Sequence, residues 1–370
     1  MQYKPFGRTG IMMSRLGFGA MRLPMVEDGD GKHVDYDKAI AIIHRAFELG
    51  VNYIDTAYGY CNGTSEICVG KALKGWRDRV YLSTKCPMWQ VHKKEDYRRF
   101  LEEQLKKLDT DYIDFYHFHS LDRQTYRQKV LGLDLFDEVA KAKAEGLIKY
   151  ASFSFHDEPE AMIEMIDSGQ FASLLCQYNL LDRKNEKAMA YGAEKGLAVV
   201  IMGPVGGGRL SHPSSVIQHL AADSKSTAET ALRFVLANPH VTTALSGMNT
   251  KAMVEENAAT AALDEPLTEA ERQAITKVVE QNRKLSDLYC TGCEYCMPCP
   301  NGVNIPENFQ LMNYHRVWGL TEFARQRYAH LGGKRGNKAA DCLECGQCEP
   351  KCPQNIKIME QLKEVARTLG

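Results

Sequence analysis

The sequence predicts an α/β protein in which a (β/α)8 barrel precedes a small helical domain, and three observations lead to this class. Eight short apolar runs alternate with longer segments of helical period across the first three quarters of the chain. Runs that are apolar at almost every position indicate strands buried on both faces, as in a parallel sheet covered by helices. Eight cysteines then fall in the last part of the chain, from Cys290 onward. For the first part, an open doubly wound sheet is the alternative architecture.

Each predicted strand is an apolar run bounded by glycine or polar residues. The eight runs cover residues 14–21, 51–57, 80–85, 112–119, 148–154, 174–179, 197–204 and 241–247. Helical segments lie between them at residues 35–50, 93–108, 134–146, 184–196 and 226–238. Several close on glycine (Gly50, Gly146 and Gly196), because a helix commonly ends in a left-handed residue. Eight such units over about 250 residues match a closed (β/α)8 barrel in number and length.

The barrel is predicted to carry an N-terminal hairpin and to end before the cysteines. Tyr3–Phe6 and Ile11–Ser14 flank the turn sequence Gly7-Arg8-Thr9-Gly10, and this hairpin could close the bottom of the barrel. Two more helices are expected near residues 251–262 and 268–282, after the eighth strand. We therefore predict one domain over residues 1–285 and a second over residues 286–370.

The cysteines of the second domain form two quartets with ligand spacing. Cys290, Cys293, Cys296 and Cys299 precede Pro300, and Cys342, Cys345, Cys348 and Cys352 precede Pro353. The second quartet reads C-x2-C-x2-C-x3-C-P, which is typical of two-cluster iron–sulfur proteins in which the closing cysteine binds the other cluster, and the first departs by one residue, with only Met297 and Pro298 between its last two cysteines. We therefore predict two [4Fe-4S] clusters, one held by Cys290, Cys293, Cys296 and Cys352 and the other by Cys342, Cys345, Cys348 and Cys299. Zinc and disulfides are the alternatives, although structural zinc favours cysteine pairs separated by longer stretches.

Composition limits the partners of the chain. The 46 basic and 47 acidic residues give a formal net charge of −1, which lacks the basic surplus that binding to nucleic acid requires. No run of eighteen apolar residues predicts a membrane span. The first fourteen residues hold no apolar signal region, and thiolate clusters without an export signal indicate a reducing compartment. We therefore expect a cytoplasmic protein that binds neither nucleic acid nor membrane.

Polar side chains stand at the carboxyl ends of three predicted strands, the end at which barrel enzymes build their sites. Asp55, Lys85 and His119 each end an alternation that points inward, and Tyr60 follows in the loop after Asp55. An ammonium lowers the pKa of a phenol, a carboxylate keeps that ammonium charged, and a neutral imidazole can orient a carbonyl. These four residues predict a proton-donating site. His117 faces inward one layer deeper and is predicted to be a packed core histidine.

With these residues in place, the chain resembles the aldo-keto reductase family, and within it the branch with a C-terminal iron–sulfur domain. The resemblance rests on YKPFGRTGIMMSRLGFGAMRLP, NYIDTAYGY, VYLSTK, YIDFYHFH and CQYNLLDR, and covers about residues 1–280. It implies NAD(P)H-dependent reduction of a small aldehyde, ketone or sugar-like substrate. Tyr60 would be the acid, Lys85 and Asp55 would adjust it, and His119 would orient the carbonyl. An NAD(P)-binding redox sensor or regulatory subunit is the alternative, which the complete set of four residues disfavours.

The resemblance also implies the cofactor contacts. These are Gly19, Ala20 and Met21 at the nicotinamide, Ser154 and Gln177 at its carboxamide, Met202 and Gly203 beside the ring, Gly207, Gly208, Arg209, Gly247 and Asn249 at the phosphates, and Glu256 and Asn257 at the adenine. Two positions depart from the family pattern, because Phe155 replaces an asparagine and Met253 replaces the arginine that binds the adenosine phosphate. The missing arginine favours NADH over NADPH, although Lys251 offers another phosphate cation.

The second domain raises a redox question. Two helical runs, one from Asn304 to Trp318 and one from Thr321 to the glycines at 332–333, separate the quartets, so the domain resembles helical ferredoxins. Nicotinamide transfers two electrons as a hydride, whereas a cubane cluster ordinarily moves one, and the sequence shows no flavin motif. The clusters could therefore be structural, act as a redox sensor, or be an electron port for a substrate that is reduced stepwise, and a redox partner protein could bind at this domain. Substrate specificity is expected in the loops at residues 88–90, 121–132 and 211–223.

Overall fold

The computed structural model describes residues 1–29, 31–221, 223–290, 292–352 and 355–370, without the side chains of residues 283–289. The chain forms two compact units. Met1–Gly206 and Leu232–Pro266 make the first, and Gly207–Ala231 and Leu267–Gly370 make the second. The predicted domain boundary at residue 285 lies inside helix α10 (Glu269–Tyr289). The segment Gly207–Ala231 belongs to the same unit as the cysteines, which the sequence did not indicate.

Eight parallel strands close into a barrel in the first unit. In ring order they are β3 (Leu16–Gly19), β6 (Tyr53–Asp55), β7 (Tyr81–Cys86), β8 (Ile113–Leu121), β9 (Ile148–Phe155), β10 (Ser173–Gln177), β11 (Ala198–Met202) and β12 (Thr243–Ser246), which pairs with β3. Each predicted apolar run overlaps one of these strands. The (β/α)8 barrel is therefore confirmed, and the open sheet is wrong.

Helices connect the strands of the barrel. They are α1 (Tyr36–Glu48), α2 (Ser65–Leu73), α3 (Lys94–Leu108), the single turn α4 (Arg123–Thr125), α5 (Leu135–Ala144), α6 (Pro159–Asp167), α7 (Glu186–Glu194), α8 (Thr227–Ala237) and α9 (Lys251–Thr260). The sequence did not predict α2 or α6. Helix α2 buries seven of its nine residues, including the polar Ser65 and Glu66, so it lacks the polar stripe by which an amphipathic helix is recognised.

The predicted N-terminal hairpin packs into the barrel core. Strands β1 (Tyr3–Pro5) and β2 (Met12–Ser14) pair antiparallel and place Phe6 among buried barrel side chains. The rings of Phe6 and Phe115 lie 4.4 Å apart between centroids. A second hairpin, β4 (Met25–Asp28) with β5 (Gly31–Val34), follows β3 and was not predicted. It carries only one buried residue, Val34, so its strands lack the apolar alternation of a core strand.

The second unit contains α10, α11 (Ile305–Arg316), α12 (Thr321–Ala329) and α13 (Ile358–Leu369). Helix α11 begins at a cap in which Asn304 accepts the backbone N–H of Glu307 at 3.2 Å. The two helices predicted between the quartets are thus present. Helix α13 was missed, although its buried face repeats at helical spacing through Ile358, Leu362, Val365 and Leu369. Within the described residues, no helix has the length and apolar character needed to cross a membrane.

Candidate active site and cluster cysteines

A buried ion pair occupies the carboxyl ends of β6 and β7. The Nζ atom of Lys85 lies 2.6 Å from Oδ2 of Asp55 and donates to the carbonyl of Thr56 at 2.7 Å. The hydroxyl of Ser83 donates to the other oxygen of Asp55 at 2.8 Å. Lys85 is 1% exposed, so both the ammonium and the carboxylate have protein partners in place of water. Ser83 shares the inward parity of Lys85, a signal that could have identified it as a partner of Asp55.

Two aromatic rings complete the predicted group of four. The centroid of the Tyr60 ring lies 5.0 Å from Nζ of Lys85. The rings of Tyr60 and His119 are 6.1 Å apart and nearly perpendicular, at 80°. Trp89, which is 51% exposed, approaches His119 with a centroid distance of 5.1 Å. The tertiary structure therefore brings Asp55, Tyr60, Lys85 and His119 together, with an exposed indole at their edge.

The electrostatics of Tyr60 differ in sign from the prediction. Burial raises the pKa of the phenol, and this effect exceeds the lowering by the nearby Lys85 ammonium. The expectation that Lys85 brings the pKa of Tyr60 below its ordinary value is therefore wrong for the net shift. Burial alone would lower the pKa of Lys85, but the charges of Asp55 and Tyr60 outweigh it and raise that pKa. At neutral pH the phenol keeps its proton and the lysine keeps its charge.

The two histidines of β8 are both neutral but differ in position. Burial lowers the pKa of His119 to about 3, with further lowering from the Lys85 charge, as the predicted neutral imidazole requires. Burial also lowers the pKa of His117 far below its usual range. His117 is fully buried, whereas His119 lies at the exposed end of the same strand beside Tyr60 and Trp89. His117 is a core side chain, as its deeper layer predicted.

The turn that carries Tyr60 is fixed by the second hairpin. Cys61 and Asn62 adopt left-handed backbone conformations, with φ of 52° and 57°. The side-chain amide of Asn62 donates to the carbonyl of Lys32 in β5 at 2.9 Å. The backbone N–H of Val34 donates to the hydroxyl of Thr64 at 3.1 Å. The unpredicted β4–β5 hairpin therefore holds the chain on which the phenol is mounted.

The residues predicted at the nicotinamide end follow the barrel strands. Ser154 is buried in β9, and its hydroxyl accepts the backbone N–H of Ser120 at 2.7 Å. Gly203, at φ 62°, lies so close to Gln177 that a Cβ there would stand 2.7 Å from the amide oxygen. Phe155, in the place of the family asparagine, is 1% exposed and belongs to the core. Only glycine fits at 203, which keeps the Gln177 amide at the end of β10.

The residues predicted at the phosphate and adenine end lie after β12 and in α9 of the first unit and after β11 in the second. Gly247 and Asn249 are exposed after β12, and Met253 is exposed in the first turn of the helix. Asn257 instead is buried, and its amide donates to the hydroxyl of Ser246 at 3.0 Å. In the second unit, Gly207 and Gly208 adopt positive φ values of 67° and 95°. The guanidinium of Arg209 beside them donates to the hydroxyl of Tyr314.

Two cavities in the second unit group the cysteines. The larger, of about 70 Å³, is lined by Cys299, Cys342, Cys345 and Cys348, together with Cys296. The smaller, of about 20 Å³, is lined by Cys290, Cys293, Cys296 and Cys352. Cys299 therefore lines the cavity of the second quartet and Cys352 that of the first, and among the described cysteines Cys296 borders both. Pro353, which follows Cys352, lies outside the described residues.

The surroundings of these thiols fit iron–sulfur clusters. Ile305 lines both cavities, and Phe309 and Ile358 line the smaller, which shields a cluster from water. A backbone N–H points at the sulfur of Cys290 from Gly292 at 3.3 Å, and one points at the sulfur of Cys342 from Glu344 at 3.4 Å. Such N–H contacts adjust cluster potentials. No three metal-binding side chains of the described part converge on one point as a single ion requires.

Comparison with known proteins agrees with both parts of the chain. Residues 15–280 match the aldo/keto reductase family, and residues 289–356 match a 4Fe-4S dicluster domain. The chain belongs to the aldo/keto reductase family. It is similar to L-galactose dehydrogenase of Arabidopsis thaliana, with 28% identity over 70% of this chain and 88% of the relative. It is also similar to the NADH-specific methylglyoxal reductase of Escherichia coli, with 29% identity over 57% of this chain and 69% of the relative.

A solved aldo-keto reductase shares the fold. The holo form of AKR11C1 from Bacillus halodurans is 30% identical and superposes with a TM-score of 0.64, covering 75% of this chain and 96% of its own. This protein is therefore an oxidoreductase of the aldo-keto reductase type. Family membership implies a nicotinamide cofactor and a small-molecule substrate, and the dicluster match indicates iron–sulfur clusters.

Proposed function

We propose that this protein reduces a small carbonyl compound with NAD(P)H and that Tyr60 donates the proton. The observation that carries the proposal is the buried Asp55–Lys85 pair, with its 2.6 Å contact, set directly beneath the Tyr60 ring. Family membership supports the reaction type. The residue roles and the substrate class are our inference.

The proton transfer follows from the charges around Tyr60. The phenol holds its proton at neutral pH because burial raises its pKa. As the carbonyl oxygen gains negative charge, it takes this proton, and the resulting phenolate is stabilised by the Lys85 ammonium. Asp55 keeps that ammonium charged although Lys85 is only 1% exposed. Lys85 therefore stabilises mainly the Tyr60 phenolate that forms when the proton is transferred, and the phenol stays neutral before the reaction.

The remaining residues orient the reactants. His119 is neutral because its pKa is about 3, so one ring nitrogen carries an N–H that can point at the carbonyl oxygen. NAD(P)H supplies the hydride that reduces the carbonyl carbon. Ser154 and Gln177 would hold its carboxamide, and the exposed Gly247 and Asn249 its phosphates. The exposed indole of Trp89, packed against His119, would cover one side of the substrate.

The proposal includes a preference for NADH and the binding of two iron–sulfur clusters. Met253 is 40% exposed in the first turn of α9 and offers no charge to an adenosine phosphate, so NADH is the favoured cofactor. The two cavities support clusters ligated by Cys290, Cys293, Cys296 and Cys352 and by Cys342, Cys345, Cys348 and Cys299. A pure NAD(P) sensor is disfavoured, because sensing does not require a proton donor beside a buried lysine.

The test is a panel of aldehydes, ketones and open-chain sugars, run with the cluster-loaded protein and either NADH or NADPH. Oxidation of the cofactor that depends on both carbonyl and enzyme supports the proposal, and a higher kcat/KM with NADH supports the preference. A second measurement is binding of each cofactor without substrate. Tight cofactor binding with no turnover across the panel would favour the sensor function instead.

A further inference from the structure

The loop that follows β11 is built into the cysteine-containing unit. Residues Gly207–Ala231 pack with Leu267–Gly370, although their neighbours on both sides in the chain belong to the barrel unit. This loop carries Gly207, Gly208 and Arg209, the residues assigned above to the cofactor phosphates. We propose that Leu267–Gly370, the cysteine domain, supports this phosphate-binding loop and that Tyr314 acts as a positioning residue for Arg209.

Three contacts hold the loop to α11, to the turn after it and to α12. The guanidinium of Arg209 donates to the hydroxyl of Tyr314, with its central carbon 5.5 Å from the centre of that ring. The hydroxyl of Ser214 donates to the carbonyl of Trp318 at 2.6 Å, and Ser214 is 1% exposed. The ring of His212 lies 5.7 Å from that of Phe323 in α12.

The backbone of the turn after α11 and that of the loop allow the two segments to come close together. Gly319 has a φ of 64°, and a Cβ at this position would stand 3.1 Å from the hydroxyl oxygen of Ser215. A glycine is therefore needed where the turn after α11 meets the loop. Ser214 also accepts the backbone N–H of Ile217 at 3.0 Å and donates its own backbone N–H to Thr227 at 2.9 Å. The buried serine thus joins the loop, the start of α8 and the cysteine domain.

The same helix connects the loop to the cluster cavities. Ile305, at the start of α11, lines both cavities, and Phe309, one turn later, lines the smaller. Tyr314 lies near the end of this helix, roughly 14 Å beyond Ile305 at 1.5 Å per residue. A cluster that fills its cavity supports α11, and α11 supports the loop. This gives the clusters a function that requires no electron exchange with the nicotinamide.

The inference rests on the proposed function, because it concerns the cofactor of that reaction. The experiment compares Tyr314→Phe with the wild type as cluster-loaded full chains. This change removes the hydroxyl that accepts from Arg209 and keeps the ring. The expected result is a dissociation constant for NADH about tenfold higher, the order expected when a hydrogen bond to a charged group is lost. The KM for NADH should rise in parallel, while kcat at saturating NADH stays near the wild-type value.

Tyr328→Phe is the matched control. Its hydroxyl accepts the backbone N–H of Ala340 at 3.2 Å, a residue outside the loop Gly207–Ala231, so NADH affinity should not change. Ser214→Ala removes the second loop contact and should weaken NADH binding as Tyr314→Phe does. Iron content is measured for each variant, and the comparison is made per loaded protein.

A double-mutant cycle decides whether Tyr314 acts through Arg209. In an Arg209→Ala background, Tyr314→Phe should have no further effect on NADH affinity, because its partner is already absent. Equal additional weakening in that background, or equal weakening by Tyr328→Phe, would overturn the inference and indicate a general loss of the unit. Wild-type affinity in both Tyr314→Phe and Ser214→Ala would overturn it as well. A wild-type protein that binds neither NADH nor NADPH would instead refute the proposed function.

Discussion

Replacing Tyr60 with phenylalanine tests the centre of the proposed mechanism. The change removes one oxygen and keeps the ring, so the 5.0 Å approach to Lys85 and the 6.1 Å approach to His119 can persist. Since burial raises the pKa of the phenol, essentially every wild-type molecule carries the phenolic proton at neutral pH. The phenylalanine variant has no such proton to donate. General-acid catalysis typically contributes about 10²–10⁴-fold.

We therefore expect the rate of carbonyl reduction to fall at least ~100-fold in Tyr60→Phe, or about 2.7 kcal/mol at 1.36 kcal/mol per factor of ten. Single-turnover loss of NADH absorbance measures the chemical step, and a separate titration should show nearly unchanged NADH affinity. Tyr150→Phe is the matched control, because its hydroxyl donates to the carbonyl of Thr9, at 3.4 Å, in the N-terminal hairpin turn. Retention of most of the activity by Tyr60→Phe would refute the assignment of the acid.

Four further predictions concern the clusters, the cofactor and the histidines. Cys352→Ala should destroy the cluster held by Cys290, as iron counts and EPR would show, whereas damage confined to the Cys342 cluster would mean sequential ligation. Met253→Arg should shift the ratio of NADH to NADPH affinity toward NADPH by adding a charge-assisted contact, and a wild type that binds NADPH a hundred times more tightly would contradict the preference. With the pKa of His119 at about 3, the turnover rate should show no imidazole titration between about pH 5 and pH 8. His117→Leu should leave turnover unchanged. Because the pKa of His117 is lowered in the folded state, the unfolded wild type binds more protons below about pH 6.5, so its unfolding free energy should fall with acid more steeply than that of the variant.

Much of the barrel and of its candidate site could be predicted from local sequence patterns. Strands β3, β6 and β7 and the five that follow are largely apolar, because both faces of a parallel sheet are covered, and such runs stand out in a sequence. Asp55, Lys85 and His119 end three of these strands, so closure of the barrel alone is enough to bring them to one end. The grouping of the cysteines was predicted from spacing, because a cluster imposes that spacing on its ligands.

Other features were decided by packing between distant segments. The net direction of the Tyr60 pKa shift depends on how deeply the ring is buried, and burial has no local sequence signal. The β4–β5 hairpin could not be predicted because most of its side chains face solvent. Its hydrogen bonds to the Tyr60 turn, through Asn62 and Thr64, form only in the folded chain.

The sequence by itself determined the eight barrel strands, the four residues of the candidate site and the two cysteine quartets. Each of these rests on a periodicity or a spacing that a few neighbouring residues carry. The tertiary structure alone decided that Gly207–Ala231 packs with the cysteine domain, through Arg209 with Tyr314 and Ser214 with Trp318. These partners are about a hundred residues apart and belong to types common in any loop or helix. Their pairing follows from the packing of the folded chain and leaves no pattern in the sequence of either segment.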